Sequence, residues 1–445
     1  MKSVGLGAAA WCAVPVIAAL LACAEGGAND GQRGVGDQPG GVTLGLGDIA
    51  VAPVGGYVVF RRDDQLAVGW VDSGRVESLP VSLPSRLAFS KQRSAVYVGS
   101  ESTQQIVAVD VPSRAVLWQS PVASANTRSL RLESSHDDRF VLSASSREVT
   151  VLDAARGDEL FTQAFDRGLV DVEILPDSRR ALVVEAHVWT GSAPETRLTV
   201  LDLEASSAVS FSVPNCADDV VVSADGRRAF LAPTTCQKDP VSVIDLTYGA
   251  EKFERNLPGF GPVARAPGGA TVVAFYDRTL GDASLFDDPA QMPGGTTSRY
   301  HLMLIDATTL TYDFVEVGGS LPRYAVTPDG NVLLVDSSWF SQTVRLFDVP
   351  TRSFRPLSGP SVLLNQFVLS SDSRHAYVLQ VDVFDLDVES ARVTPFGLGF
   401  FPKNLNISAD DRLLFLRKDD NEVCIFDLST RSCRGRFVSV AGAGP

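Results

Sequence analysis

The residues whose types and spacing best suit proton chemistry are Glu185 and His187, two positions apart. Side chains alternate between the two faces of a β-strand, so this spacing points the carboxylate and the imidazole the same way. A carboxylate beside a histidine can orient it as a general base. The chain has no Gly-x-Ser-x-Gly, P-loop, dinucleotide-binding or His-Glu-x-x-His segment beside them, so the pair alone is weak support for catalysis.

Composition excludes several classes of function. The 445 residues include 39 basic and 53 acidic side chains, a net charge of −14, which argues against a nucleic-acid partner because phosphate contacts need clustered cations. The hydrophobic share of 45% suffices for a large packed core. His136 and His375 are expected in exposed turns and His301 at the start of a strand, so the histidines are scattered. We therefore predict no catalytic metal and no cofactor.

The N-terminus has the pattern of a targeting segment. Lys2 is followed by an almost wholly apolar or small stretch over 4–21, which ends in Leu-Leu-Ala-Cys at Cys23. This sequence resembles the lipobox of bacterial lipoproteins, and the resemblance implies removal of residues 1–22 and acylation of Cys23. The alternatives are an ordinary signal peptide with an incidental cysteine or an uncleaved anchor helix. Pro15 and the marginal length disfavour a spanning helix.

The predicted organisation is a lipid anchor, a tether and one folded unit. Residues 23–43 are Gly-rich and form a flexible tether, 44–440 form the folded domain, and 441–445 form a short tail. Acyl chains would hold the protein on a membrane of the bacterial cell envelope. Ala24, rather than an aspartate, favours the outer membrane, facing either the periplasm or the surface. We expect a monomer.

A short β-rich run that ends in aspartate recurs along the chain at intervals of 37 to 61 residues. Its nine copies end at Asp72, Asp110, Asp153, Asp202, Asp245, Asp306, Asp348, Asp385 and Asp427. Each aspartate stands where a strand ends, so we predict that these side chains cap turns by accepting backbone N–H bonds. They are not predicted to form a ligand set.

Each repeat indicates four short antiparallel strands. A second turn with Asp-Gly or Pro-Asp pairs precedes each copy, which marks another tight hairpin. In the fifth repeat the strands are expected at about 219–223, 228–232, 242–246 and 252–256. Four strands at such a period are typical of a β-propeller blade, so the fold class is all-β, a single propeller. A stack of sandwiches or an open β-solenoid is the alternative.

The repeats resemble the YVTN-type β-propeller family, a WD40-like group. The likeness rests on Thr-Pro-Asp-Gly ending at Gly330 and on Val-Ser-Val-Ile-Asp-Leu ending at Leu246. This resemblance implies a fold and no particular activity. Nine repeats are counted, whereas common rings have up to eight blades. The first and eighth repeats are compressed, so we expect eight or nine blades.

The loops that join second to third strands, and blade to blade, vary most in length, and variable loops on a rigid scaffold usually carry binding. Acidic and aromatic residues of these loops are the candidates for ligand or partner binding: His187, Trp189, Tyr276, Asp277, Asp282, Asp287, Asp288, Trp339 and Phe340. Three of the aspartates offer the oxygens that Ca²⁺ prefers, but their spacing differs from that of an EF-hand. The alternative is that the insertion over 276–299 is a solvated flap and the aromatics seal blade edges.

Four cysteines remain after the signal and Cys23, in an oxidising compartment. Cys216 and Cys236 are expected at the same end of neighbouring strands, and we predict a disulfide between them. Cys424 and Cys433 flank one hairpin. A tight turn there would pair Leu428 with Cys433 and leave Cys424 too far along the partner strand for good disulfide geometry.

Two functions follow from these features. The first is a membrane-anchored binding scaffold, with a protein or glycan partner on the long-loop face. The alternative is a hydrolase or oxidoreductase, lactonase-like or quinoprotein-like, at the mouth of the channel. The thin catalytic inventory favours the scaffold over the enzyme. The discriminating observation is whether His187, Trp189, Asp277 and Asp282 converge on one cavity.

Overall fold

The structure of the chain is a computed structural model. It describes residues 42–43, 49–53, 55–62, 64–82, 84–100, 103–121, 131–190, 193–217, 219–233, 240–265, 270–278, 283–286, 292–293, 299–318, 323–336, 344–364, 366–418 and 422–438.

The described strands form nine antiparallel sheets, each built on four main strands that pair in chain order. In blades 1 to 3 these are β2–β5 (Ile49–Val51, Tyr57–Arg62, Gln65–Trp70, Val76–Ser82), β6–β9 (Arg86–Phe89, Ala95–Ser100, Gln105–Asp110, Ala115–Pro121) and β10–β13 (Arg131–Ser134, Phe140–Ala144, Glu148–Asp153, Glu159–Ala164). In blades 4 to 6 they are β14, β15, β17 and β18 (Leu169–Ile174, Arg180–Glu185, Ala193–Asp202, Ser207–Val213), β19–β22 (Asp219–Val222, Arg228–Ala232, Val241–Asp245, Lys252–Leu257) and β23–β26 (Phe260–Arg265, Thr271–Asp277, Tyr300–Asp306, Tyr312–Gly318).

In blades 7 to 9 the strands are β27–β30 (Arg323–Val326, Val332–Asp336, Val344–Asp348, Ser353–Pro356), β31–β34 (Gln366–Leu369, His375–Leu379, Val383–Asp387, Arg392–Pro395) and β35–β38 (Asn404–Ile407, Leu413–Arg417, Glu422–Asp427, Ser432–Val438). Two short strands are additional: β1 (Val42–Thr43) joins blade 2, and β16 (Val188–Thr190) joins blade 4. A 3₁₀ turn spans Ala283–Leu285.

The middle strands form because both of their faces are buried between neighbouring blades. Every residue of β7 and of β15 is buried, whereas the fourth strands, such as β13, are largely exposed. Long runs of Val, Leu and Ala therefore suit the second and third strands. One apolar cluster joins Leu182 and Val200 of blade 4 to Val220 and Leu231 of blade 5. The core is thus a series of layers between blades.

The ring closes between blade 9 and blade 1. Val58 and Phe60 of blade 1 pack in one buried cluster with Phe415 and Ile425 of blade 9. Each blade takes its four main strands from one continuous stretch of chain, so no strand is exchanged across this seam among the described residues. Apolar packing holds the seam. The predicted all-β propeller is confirmed, with nine four-stranded blades rather than eight.

The repeating aspartates cap turns, as predicted. Asp153 accepts backbone N–H bonds from Ala155 and Arg156, both at 2.9 Å. A backbone N–H two or three residues further on also donates to Asp110, Asp202, Asp245, Asp306, Asp348 and Asp427. Bonds from the Ser429 hydroxyl and the Thr430 N–H lower the pKa of Asp427 to about 2. These side chains are therefore parts of the turns.

Two of the nine predicted capping positions are wrong by two residues. In blade 8 the turn is capped by Asp387, which accepts the Ser390 N–H at 2.7 Å, and not by Asp385. In blade 1 Trp70 occupies the capping position, and its backbone N–H donates to the carbonyl of Arg75. Asp72 lies inside the turn. Residues two apart lie on the same face of a strand. The apolar pattern therefore could not show which of the two positions caps the turn.

The other repeated turn links neighbouring blades. In it a Ser or Thr hydroxyl donates to an aspartate two residues on, as Ser223 does to Asp225 at 2.6 Å. Asp138 in the blade 3 turn accepts N–H bonds from Lys91 and Gln92 in the blade 2 turn, at 2.8 and 2.9 Å. These contacts hold one end of the ring together, which we call the short-turn face. It carries the first-to-second and third-to-fourth strand turns.

Cys424 and Cys433 form a disulfide, with their Cα atoms 5.7 Å apart. The prediction that they are too far apart was wrong. Cys433 is opposite Phe426 rather than Leu428, and a bulge between Ile425 and Phe426 shifts the register. The bulge brings the two cysteines into diagonal reach. Cys216 is also disulfide-bonded. Its predicted partner Cys236 lies outside the described residues.

Candidate functional site

The opposite end of the ring, which we call the long-loop face, carries the second-to-third strand loops and the linkers between blades. Its most prominent described feature is an extension of blade 4. There β16 folds back on the start of β17, and Trp189 is directly opposite Pro194. This hairpin extends beyond the four strands of the blade and leaves the Trp189 side chain 62% exposed.

His187 lies at the base of this hairpin. Its Nδ1 is 3.3 Å from Sγ of Cys216, which belongs to the linker into blade 5. Its ring meets the Trp189 ring edge-on, with centroids 6.3 Å apart. The imidazole therefore packs between a disulfide-bonded sulfur and an indole, and it positions the hairpin against the neighbouring blade.

Glu195 fixes the other side of the hairpin. It accepts a hydrogen bond from Ser212 at 3.0 Å and one from Arg167 at 3.2 Å. These two donors lower the pKa of Glu195. Arg167 also donates to the carbonyl of Glu195 at 3.2 Å, so one guanidinium holds both side chain and backbone. The hairpin that presents Trp189 is braced on both strands.

Glu185 is buried near the same end of blade 4 and does not contact His187. Its Oε1 accepts from Thr199 at 3.4 Å and lies 3.6 Å from Nε of Arg197. Its Oε2 has no hydrogen-bond partner among the described residues. Burial raises the pKa of Glu185, and Arg197 opposes that rise. The predicted carboxylate–imidazole pair is not formed, since each group faces different partners.

Tyr276 and Asp277 are each only 1% exposed, so they lie inside blade 6. Asp277 makes an ion pair with Arg299, Nη2 to Oδ2, at 2.6 Å. The Tyr276 ring packs on Phe314 at 4.8 Å and on Phe286 at 5.8 Å. Phe286 belongs to the insertion, so its described part folds back over its own blade. This matches the alternative that aromatics seal the blade.

Two other histidines have described contacts: His301 lies at the start of its strand as expected, whereas His375 begins a strand and does not lie in an exposed turn. His301 is 2% exposed within β25, and burial lowers its pKa. His375 begins β32, half-buried, and its Nδ1 is 2.8 Å from Oδ1 of Asp385. Both side chains serve packing or blade contacts in the described structure. Neither contacts His187.

The remaining predicted site residues lie outside the described residues. They are Cys23, Asp282, Asp287, Asp288, Trp339 and Phe340. Among the described residues no group of three or more His, Cys, Asp or Glu is arranged to hold a metal ion. Within the same part of the chain, no helix is long and apolar enough to cross a membrane.

Sequence reasoning missed two exposed apolar side chains on the long-loop face of blade 8. Val381, in the turn between β32 and β33, is 68% exposed, and Phe401, in the linker to blade 9, is 74% exposed. Asp382 joins the two segments, because its Oδ2 accepts the Gly397 N–H at 2.7 Å. The Gly-Leu-Gly-Phe-Phe run ending at Phe401 was a signal, since glycines at 397 and 399 adopt positive φ and turn the linker.

Comparison with known proteins adds the fold and no family. No protein-family model matches the chain, and no curated protein sequence resembles it significantly. The eukaryotic initiation factor has a similar structure, with 11% identity, a TM-score of 0.55, and coverage of 77% of this chain and 85% of that one. The dihydro-heme d1 dehydrogenase NirN in complex with DHE is 13% identical, with a TM-score of 0.48, and the match covers 77% of this chain and 72% of that one. Hydrazine synthase of Kuenenia stuttgartiensis is 14% identical, with a TM-score of 0.39, and the match covers 81% of this chain and 97% of that one. At 11% identity the likeness to the initiation factor shows the fold alone.

Proposed function

We propose that this protein is a scaffold, anchored in the cell envelope, that binds a protein or glycan partner through its long-loop face. One observation carries the proposal. The three most exposed large apolar side chains among the described residues, Trp189, Val381 and Phe401, all lie on that face. Aromatic residues are enriched among binding hot spots, and two of these three side chains are aromatic.

The positions of these residues favour a macromolecular partner. Trp189 belongs to blade 4, and Val381 and Phe401 belong to blade 8 or its linker, four blades away in a ring of nine. They therefore stand on nearly opposite sides of the channel mouth. A single small ligand would not reach both places. A protein or a glycan chain that lies across the mouth would.

The enzymatic alternative has no comparable support. It requires His187 to meet acidic groups of blade 6, whereas the described contacts of His187 are with Cys216 and Trp189. Asp277 is held by Arg299. We therefore propose binding, with no reaction assigned.

The binding proposal is tested with the variant Trp189→Ala/Phe401→Ala. Truncating aromatic anchors typically costs about 2–4 kcal/mol of binding, about 30-fold to 1,000-fold in affinity. We expect an envelope partner captured by the full-length protein to be lost, with the melting temperature nearly unchanged. The matched control is Leu117→Ala/Val209→Ala, which removes exposed apolar groups from outer strands β9 and β18. Equal capture by both variants would refute the proposed face.

Anchoring is part of the proposal and rests on the Leu-Leu-Ala-Cys segment ending at Cys23. We expect mass spectrometry of the mature N-terminus to find an acylated Cys23. A Cys23→Ser variant should move from the membrane fraction to the soluble fraction, because the acyl chains supply the membrane affinity. An unmodified Cys23 in membrane-bound protein would contradict lipidation.

A further inference from the structure

We propose that two copies of this protein form a dimer in which β18, the outermost strand of blade 4, pairs antiparallel with β18 of the second copy. The sheets of the two blades then continue as one across a two-fold axis at Ser210. A dimer replaces the monomer expected from the sequence, in which the exposed edge of a strand is not visible. The proposal concerns the perimeter of the ring, so it does not depend on the function proposed for the long-loop face.

The outer edge of β18 has no partner strand among the described residues. β18 pairs with β17 from Ser207, opposite Asp202, to Val213, opposite Thr196, and no other described strand pairs with it. Alternate residues of such a strand direct their backbone N–H and C=O groups outward. Only the last residue of β18, Val213, has a buried side chain. The edge can therefore accept a strand from another chain.

β18 lacks the features that usually protect an edge strand from pairing. Such features are charged residues, prolines, bulges and very short strands. The seven residues of β18 include no charge and no proline, and they follow β17 without a register shift. At about 3.4 Å per residue the open edge is about 24 Å long. It is long enough for a full ladder of hydrogen bonds.

The other eight fourth strands each have at least one of these protective features. Register shifts occur where β5, β9, β13, β22, β26 and β38 pair with their third strands. β30 and β34 are four residues long, and each includes an arginine and a proline. Among the described blades, blade 4 is thus the one with a long, regular and uncharged outer edge.

The sequence of β18 fits a second copy of itself. A two-fold axis at Ser210 places Val209 opposite Phe211 of the partner subunit. It also places Ala208 opposite Ser212 of the partner subunit. Pairs of aromatic and β-branched residues stabilise neighbouring strands, whereas like charges directly opposite destabilise them. In a chain with a net charge of −14, this uncharged strand lets two copies meet without opposed like charges. Both edges are used in the pair, so association stops at two copies.

The perimeter beside β18 is also apolar and nearly uncharged. Among the described residues, the exposed large apolar side chains of fourth strands are all in blades 2 to 4: Val116, Leu117, Leu160 and Val209. The three strands that carry them include one charged residue, Glu159. A second copy that approaches β18 therefore meets a sector of the perimeter with little charge to repel it.

A cysteine at the proposed axis tests the pairing in the full-length protein. Directly opposed residues of an antiparallel pair have Cα atoms about 4.5–5.5 Å apart, within the range of a disulfide. We expect Ser210→Cys to give a disulfide-linked band of twice the chain mass in a non-reducing gel, and mass spectra to show position 210 joined to itself.

The matched control for this crosslink is Thr162→Cys in β13. The Thr162 hydroxyl contacts the third strand of blade 3, as that of Ser210 contacts the third strand of blade 4. Thr162→Cys should give no more dimer than the wild type. Equal yields in the two variants, or a Ser210→Cys crosslink to a different protein, would overturn the second copy as the occupant of this edge.

The register of the pairing has a separate test. Ala208 is expected opposite Ser212 of the partner subunit but about 14 Å along the strand from its own equivalent, beyond the reach of a disulfide. Coexpressed Ala208→Cys and Ser212→Cys chains should therefore crosslink with each other, whereas either variant expressed alone should not. Equal crosslinking in all three samples would show collision rather than a two-fold strand pair.

A charge at the axis tests dimerisation itself. Ser210→Lys places two like charges opposite each other, and lysine protects natural edge strands from pairing. Sedimentation in detergent should show a dimeric wild type and a Ser210→Lys variant with half that protein mass and a nearly unchanged melting temperature. Thr162→Lys should remain dimeric. A monomeric wild type, or a Ser210→Lys variant that remains dimeric, contradicts the proposal, and the crosslinks decide it if Ser210→Lys does not fold.

Discussion

At the scale of residues, His375, Asp385 and Arg431 form an ionisable group, in which the Asp385–Arg431 pair joins blade 8 to blade 9. Asp385 is buried, contacts His375, and also pairs with Arg431 of blade 9 at 3.1 Å. The His375 ring stacks on Tyr377 with an interplanar angle of 7°. The Asp385 carboxylate raises the pKa of His375 above its ordinary value. One carboxylate thus contacts a histidine of its own blade and an arginine of the next blade.

The pH dependence of this link follows from the sign of that shift. Because the folded pKa is above the unfolded value of about 6.5, the stabilisation is complete below pH 6.5 and disappears as pH rises through the folded pKa. We expect Asp385→Asn to return the pKa of His375 towards its ordinary value and to remove this part of the pH dependence. NMR titration of His375 and urea unfolding against pH measure both.

The control for this prediction is Asp110→Asn, which alters a capping aspartate with no histidine contact. It should lower the free energy of unfolding by about 1 kcal/mol without changing the titration of His375. An unchanged His375 titration in Asp385→Asn would show that the link has no electrostatic role.

At the scale of elements, the last hairpin shows how a bulge decides covalent chemistry. The extra residue between the Ile425–Gly435 and Phe426–Cys433 pairs shifts β38 against β37 and brings Cys433 within reach of Cys424. The sequence identifies the hairpin, since Asp427 marks its turn. It does not identify the bulge, because register depends on how the strand packs against the rest of the blade.

Removal of this disulfide should weaken blade 9. The bond joins residues nine apart, so Cys424→Ser/Cys433→Ser should lower the free energy of unfolding by about 2–3 kcal/mol in the chain-entropy model. Hydrogen exchange should rise most in β37 and β38. The wild type treated with reductant is the matched comparison, and unchanged stability in both would contradict a structural role for the bond.

At the scale of the whole molecule, closure without strand exchange makes the seam between blades 1 and 9 depend on side-chain packing. Phe415 is fully buried in that seam. Phe230 is equally buried between blades 5 and 6, so it is a matched control. Each Phe→Ala substitution should cost about 3–5 kcal/mol. Only Phe415→Ala should increase hydrogen exchange selectively in blades 1 and 9, and an identical exchange pattern in both variants would contradict this account of closure.

The sequence by itself determined the fold class, the number of repeats and most turn caps. Short apolar runs punctuated by aspartate turns recur locally, so strands such as Arg228–Ala232 were predicted at their observed bounds. The physical reason is that turn chemistry and two-sided burial act within one repeat. Asp385 and Asp387 are two residues apart and lie on the same face of the strand, so the sequence could not show which of them caps the turn.

Only the tertiary structure decided which residues reach solvent and which meet. Tyr276 and Asp277 are in the kind of loop-adjacent position that predicts a surface, but aromatic packing and an ion pair bury them. Val381 and Phe401 have the composition of a core, yet they are exposed because their segments lie beyond the ends of the strands. Exposure and proximity are properties of the assembled blades, and no single repeat contains them.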